Sequence, residues 1–198
     1  MTTPIVPRWE WRIFAERFGD VDERFDALSP ESVVESDETY VVSLARDASV
    51  KVRDALVDVK VLEAVSADGL EQWRPVLKAG FPLGAAGVRE LAEALGLTEA
   101  GLSRPGYTRE QLVEEVLRPT GELLAVRVHK RRAHYTLGGC MAERSEIATE
   151  HGSRRTIAVE SEAPALVRAA VRALGFDPRA NVSLPRELKV LAGFGVPA

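Results

Sequence analysis

Two carboxylates late in the chain are spaced so that they share one face of a strand. In RTIAVESEAP, residues 155–164, strand geometry points Glu160 and Glu162 to one side and Ile157 and Val159 to the other. Like charges this close repel each other unless a metal ion or a basic group lies between them. The spacing therefore predicts a metal site or, alternatively, a solvated strand face.

Charged side chains alternate with aliphatic ones in several other segments. Arginine guanidiniums bind phosphate oxygens in pairs, so a group of Arg and Lys suits a ligand with several phosphates. Carboxylates among them suit Mg²⁺ or Mn²⁺, which bind through one or two carboxylates and share phosphate oxygens. The alternating positions are Arg8, Glu10, Arg12, Lys51, Arg53, Asp58, Lys60, Arg127, His129, Arg131, Glu160 and Glu162.

The alternation predicts about eight strands, in two groups. Between and after them, the apolar spacing becomes helical. Thr108 and Gln111 have the spacing of a capping box, and Pro164 begins a helix that Gly175 ends. The predicted strands lie within 8–14, 39–45, 49–53, 57–62, 123–132, 134–137, 140–149 and 156–162, and the predicted helices within 68–80, 85–96, 108–117 and 164–175.

One fold explains both patterns. If the sheet closes so that its charged faces look at each other, its interior becomes a charged cavity and its aliphatic faces point outward. Helices with a single apolar stripe then cover those outer faces. The sequence predicts an α+β fold: about eight antiparallel strands closed into a tunnel-like barrel, covered outside by helices.

The bulk properties limit the function classes. The chain has 198 residues, 45% of them hydrophobic, which predicts a single domain over 1–198. A net charge of −4 argues against a general nucleic-acid or membrane binder. Cys140, the one cysteine, allows no internal disulfide, and no leader or membrane-span pattern is present, so we expect a cytoplasmic protein.

The chain resembles the CYTH superfamily, the triphosphate tunnel metalloenzymes, whose hallmark is an N-terminal ExExK strand. Read onto residues 8–12, the motif keeps Glu10, replaces its Lys with Arg12 and replaces its first Glu with Arg8. In the alternative register Glu10 is the first Glu, and one carboxylate is missing either way. The other points of resemblance are KVR (51–53), DVK (58–60), VRVHKRR (126–132), AVESE (158–162) and the tail at 181–194.

The resemblance implies a site. Glu10, Glu160 and Glu162 would be catalytic residues and ligands of Mg²⁺ or Mn²⁺, with Glu143 as a further candidate carboxylate. The side chains that would hold the polyphosphate are Arg8, Arg12, Lys51, Arg53, Lys60, Arg127, His129 and Arg131.

The implied function is metal-dependent hydrolysis of inorganic tripolyphosphate or an organic triphosphate. Three alternatives stay open: a tunnel that binds polyphosphate or a phosphorylated ligand without chemistry, an adenylate cyclase of the same family, and an ordinary sheet with solvated charged faces. The expected partner is a small anion with several phosphates, and the sequence does not indicate an oligomeric state.

Overall fold

Eight antiparallel strands form a closed barrel. The computed structural model describes residues 6–53, 55–97, 103–117 and 121–194. The strands are β1 (Arg8–Ala15), β2 (Ser32–Ser43), β3 (Ala48–Arg53), β4 (Leu56–Val65), β5 (Glu71–Gly80), β6 (Leu83–Gly84), β7 (Gly106–Tyr107), β8 (Leu123–Leu137), β9 (Cys140–Thr149) and β10 (Gly152–Ser161). Around the barrel they follow the order β1-β10-β9-β8-β2-β3-β4-β5, with a separate two-stranded pair β6-β7. The predicted α+β barrel is confirmed.

Three of the four predicted helices, at 85–96, 108–117 and 164–175, are present with nearly the predicted ends, and those at Asp20–Asp26 and Leu184–Leu191 were not predicted. The Thr108 hydroxyl accepts from the Gln111 backbone N–H, and the Gln111 side chain accepts from the Thr108 backbone, so the predicted capping box is present. The helices are α1 (Asp20–Asp26), α2 (Ala85–Leu95), α3 (Arg109–Gln111), which continues as a π-helical turn over Leu112–Leu117, α4 (Pro164–Ala173), a 3₁₀ turn at Pro178–Ala180, and α5 (Leu184–Leu191). None of the helices in the described ranges is long and apolar enough to cross a membrane.

The aliphatic strand faces point outward and are covered by helices. On one side, α2 and the π-helical turn bury the valines of β3 and β4, with Val50, Val57 and Leu91 at 0% exposure. On another side, α1 and α4 cover β1, β9 and β10, where Trp11 and Ile157 are also at 0% exposure. The hydrophobic core of this protein therefore lies mainly outside the barrel.

One end of the barrel interior is apolar. The inward residues Tyr40, Val42, Val126 and Val128 pack against Leu184 and Leu188 of α5 in one cluster. Alternation along β2 and β8 then brings polar and charged residues inward on the other side of this cluster. Helix α5 thus fills one end of the barrel and leaves a polar cavity toward the other.

The segment before α5 completes the barrel between β1 and β5, where the strand pairing is short. Strands β1 and β5 pair only over Arg8, Glu10 and the residue between them. Beyond that point the Arg12 backbone N–H donates to Asn181 Oδ1 at 2.7 Å, and the Arg12 carbonyl accepts from the Val182 backbone N–H at 2.8 Å. The 181–194 tail therefore both completes the barrel between β1 and β5 and fills the end.

Two predicted elements were wrong. The 68–80 segment, predicted to be helical, contains β5, because pairing with β1 and β4 outweighs a short helical spacing. Pro75, which disfavours a helix interior, signalled this. The segments 123–132 and 134–137 form one strand, β8. The assignment of 1–198 to one domain stays a prediction, and its ends at 1–5 and 195–198 lie outside the described residues.

The outward core makes a stability prediction. Leu91→Ala should lower the free energy of unfolding by about 2–5 kcal/mol, because it leaves a cavity between α2 and the barrel. The matched control Leu166→Ala, at a residue 42% exposed on α4, should change it by no more than about 0.5 kcal/mol. Urea unfolding measures both, and equal effects would contradict the outward placement of the core.

Candidate functional site

The inward strand faces and the start of α5 enclose a cavity of about 490 Å³. This is within the roughly 300–1,000 Å³ range of small-molecule sites. Seven cationic and four carboxylate side chains of the described residues line it, together with His134. The cations are Arg12, Lys51, Arg53, Lys60, Lys78, Lys130 and Arg132, and the carboxylates are Glu10, Asp58, Glu143 and Glu160. The cavity is therefore basic, although the whole chain has a net charge of −4.

The predicted inward face of β8 was wrong. The structure places Arg127, His129 and Arg131 on the exposed outer face, and the inward basic residues of this strand are Lys130 and Arg132. Both faces of VRVHKRR carry charge, so alternation alone could not tell which face is inward. The face of β8 that points inward is the one whose valines pack against α5 inside the barrel.

Two of the three predicted acidic residues share a wall of the cavity. Glu10 and Glu160 are direct partners across the β1-β10 pair, and Glu71 is the partner of Glu10 on β5. Glu162 lies beyond the end of β10, is exposed, and is not part of the cavity lining. Glu160 and Glu162 therefore do not share a strand face, because β10 ends between them.

Arg12 connects three strands inside the barrel. Its Nε donates to Glu10 Oε1 at 2.9 Å, and its Nη1 donates to Glu143 Oε1 at 2.8 Å. Ala158, whose side chain is small, is the strand partner of both Arg12 and Glu143, so the guanidinium can span β10. Lys130 Nζ donates to the same Glu143 oxygen at 2.8 Å. Glu143, a further candidate in the sequence, thus joins two buried cations.

These contacts set the protonation of the buried groups. Burial would lower the pKa of Arg12, but the charges of Glu143 and Glu10 outweigh it and raise that pKa. Burial would raise the pKa of Glu143, but Lys130 and Arg12 hold it well below its usual value. The pKa of Lys130 is lowered, because its burial outweighs the attraction of Glu143. Glu143 is therefore ionised at neutral pH.

A second buried carboxylate holds the basic wall in place. Glu38, 3% exposed, accepts from Arg132 Nη2 at 3.0 Å and from the Tyr40 hydroxyl at 3.0 Å. Its Oε1 lies 3.8 Å from Lys51 Nζ and 3.7 Å from Arg53 Nη1. Burial would raise the pKa of Glu38, but Lys51 and Arg132 lower it. One anion behind the wall thus fixes three cations that line the cavity.

The remaining predicted residues divide between the cavity and its rim. Arg12, Lys51, Arg53 and Lys60 line the cavity as predicted. Arg8 lies at the rim, with 44% of its side chain exposed, and donates from Nη1 to Glu160 Oε1 at 3.2 Å. Sequence reasoning did not select Lys78, Lys130, Arg132, His134 or Glu38 as site residues. Glu38 and Tyr40, like Lys130 and Arg132, are two residues apart and so share a strand face. This spacing is the sequence signal that could have identified Glu38, Lys130 and Arg132.

The acidic side chains do not fit a divalent metal site by themselves. Within the described ranges, no group of three or more Asp, Glu, His or Cys side chains is arranged to hold a metal ion. Glu10 and Glu160 each bind an arginine guanidinium through one carboxylate oxygen. A divalent cation between them would lie close to both positive charges, and Coulomb repulsion opposes that.

Comparison with solved structures finds similar chains. A protein from Hippeastrum, described as a proposed adenylyl cyclase with a dominant triphosphatase activity, covers 96% of this chain and 97% of its own at 14% identity, with a TM-score of 0.53. A proposed adenylate cyclase from Bacillus halodurans covers 88% and 91% at 10% identity, with a TM-score of 0.49. A conserved hypothetical protein from Pyrococcus furiosus covers 90% and 96% at 16% identity, with a TM-score of 0.47.

No protein-family model matches the chain, and no curated protein matches its sequence. At 14% identity, the likeness to the Hippeastrum protein concerns the fold. The chain therefore has the eight-stranded, helix-covered barrel of the CYTH-type cyclases and triphosphatases, and the resemblance predicted from its sequence is confirmed at the level of the fold.

Proposed function

We propose that the cavity binds a small anion that carries several linked phosphates. The observation that supports this is the convergence, among the described residues, of seven cationic side chains on one cavity, three more than the carboxylates there. Guanidinium and ammonium groups held in place bind phosphate oxygens through charge-assisted hydrogen bonds. The cytoplasmic location expected from the sequence is part of this proposal.

The arrangement of these cations favours a linear polyphosphate over a single phosphate. Arg132, Lys51 and Arg53 lie around Glu38, and Arg12 and Lys130 lie around Glu143. Two groups of cations held by separate carboxylates offer contacts to more than one phosphate at once. A triphosphate, inorganic or attached to an organic group, is the ligand class that we propose.

Hydrolysis of the bound triphosphate is a second candidate function. It is favoured by the fold shared with the Hippeastrum protein, which is described as having a dominant triphosphatase activity. The chain's own contribution would be to position the phosphates and to neutralise the charge that develops on their oxygens. The Mg²⁺ or Mn²⁺ dependence expected from the resemblance belongs to this candidate, as does the role of Glu10 and Glu160 in it.

The binding proposal is tested with two adjacent arginines of β8. Arg132→Ala should weaken the binding of tripolyphosphate about tenfold to hundredfold, because one charge-assisted contact is worth about 1.5–3 kcal/mol. Arg131→Ala, which removes the same side chain from the outer face, should change the affinity less than about twofold. Isothermal titration calorimetry gives both values.

Lys60→Ala serves if Arg132→Ala does not fold, since Lys60 lines the cavity without being fully buried. No binding of tripolyphosphate by the unaltered protein, or equal losses in the Arg131 and Arg132 variants, would rule out the proposed site.

The hydrolysis candidate is tested by phosphate release. The substrates are tripolyphosphate and ATP, each with Mg²⁺, with Mn²⁺ and with EDTA, and the ATP reactions are also assayed for cyclic AMP. If the tunnel is a triphosphatase, Glu10→Ala and Glu160→Ala should each lower the rate at least about tenfold. Glu162→Ala, outside the cavity, should keep it. Binding without release of phosphate under any condition would leave the binding function alone.

A further inference from the structure

One wall of the cavity alternates arginines with carboxylates. Along the inward face of β1, Arg8, Glu10 and Arg12 follow one another at two-residue spacing. Glu160 is the partner of Glu10 on β10, and Glu143 lies one strand further on β9. These five side chains form what is called here the β1 wall.

Each carboxylate of the β1 wall already has a guanidinium partner. Arg8 donates to Glu160 at 3.2 Å, and Arg12 donates to Glu10 at 2.9 Å and to Glu143 at 2.8 Å. Arg12 is 7% exposed, so its position is fixed by packing as well as by these bonds. The carboxylates therefore orient two permanent cations, and their charge is not left for a metal ion to neutralise.

The residue at position 8 changes the charge of this wall. In the register of the ExExK pattern that places Glu10 as the second Glu, this position is a carboxylate, which would add a third acid beside Glu10 and Glu160. Arginine in its place removes one negative charge and adds one positive charge. It also donates to Glu160, the very carboxylate that a metal ion would need.

We propose that the guanidiniums of Arg8 and Arg12 supply, at the β1 wall, the positive charge that a divalent metal ion would supply, so that the tunnel binds a triphosphate without Mg²⁺ or Mn²⁺. This rests on the proposed binding function. Glu10, Glu143 and Glu160 are then positioning residues for the two arginines. A terminal phosphate at the rim contacts Arg8, whose side chain is 44% exposed while it is paired with Glu160.

The first test measures tripolyphosphate binding by calorimetry, in EDTA and in Mg²⁺. The unaltered protein should bind at least as tightly in EDTA, because Mg²⁺ also complexes tripolyphosphate in solution. Arg8→Glu should bind at least about tenfold more weakly in EDTA and should recover affinity when Mg²⁺ is added. The control Arg127→Glu makes the same charge change on the exposed face of β8 and should behave like the unaltered protein.

The second test needs no phosphate ligand. Mn²⁺ is titrated into each protein and followed by electron paramagnetic resonance, with circular dichroism to confirm folding. The unaltered protein and Arg127→Glu should leave the Mn²⁺ signal that of the free ion, and Arg8→Glu should bind Mn²⁺ through Glu10, Glu160 and the new carboxylate.

The outcomes separate the two proposals. Binding of tripolyphosphate only when Mg²⁺ is present, or Mn²⁺ binding by the unaltered protein that Glu160→Gln abolishes, would overturn metal independence and leave the binding function standing. Absence of tripolyphosphate binding in both buffers would overturn the binding function. The Mn²⁺ titration would then still decide whether the β1 wall takes a metal ion.

Discussion

Charge pairing inside the barrel is the constraint on which the rest of the structure depends. An unpaired ion in a protein interior is strongly unfavourable, whereas a pair with good geometry offsets much of its desolvation. Arg12 and Lys130 are almost fully buried and meet at Glu143, while Glu38 collects Arg132, Lys51 and Arg53. These two anions offset the mutual repulsion of the cations that line the cavity.

Because the barrel interior is largely polar, most of the hydrophobic core lies between the barrel and the helices. Apart from the valines that pack against α5, the aliphatic side chains of the strands face outward and need the helices, which explains why α2 and α4 each present one apolar stripe. The outer layer supplies most of the apolar burial, and the inner layer carries the charged lining of the cavity. This arrangement also explains how the interior can be rich in charge while the fold stays well packed.

The sequence predicted the barrel well where the two faces of a strand differ sharply in chemistry. In β3, Lys51 and Arg53 alternate with valines, so their inward placement followed from the pattern. In β8 both faces carry charge, and the choice between Arg131 and Arg132 depends on how the strand's valines meet α5, a contact between distant parts of the chain. Local periodicity does not contain that information.

The candidate site shows the same limit. Glu10 and Glu160 were predicted to come together and do, because their spacing places both on inward faces of neighbouring strands. The anchoring role of Glu38 could not be predicted, since its cationic partners come from β3 and β8 and are brought near it only by barrel closure. The end of β10 before Glu162 is likewise set by pairing with β1 and β9.

Because α5 fills one end of the barrel, the described cavity can be entered only from the other end. Leu184 and Leu188 pack against Val126 and Val128 there, so the described interior is a blind tube rather than a passage. In the binding mode proposed above, a linear polyphosphate would enter from the end opposite α5, one end first. Only its terminal units would then reach the cations of the cavity.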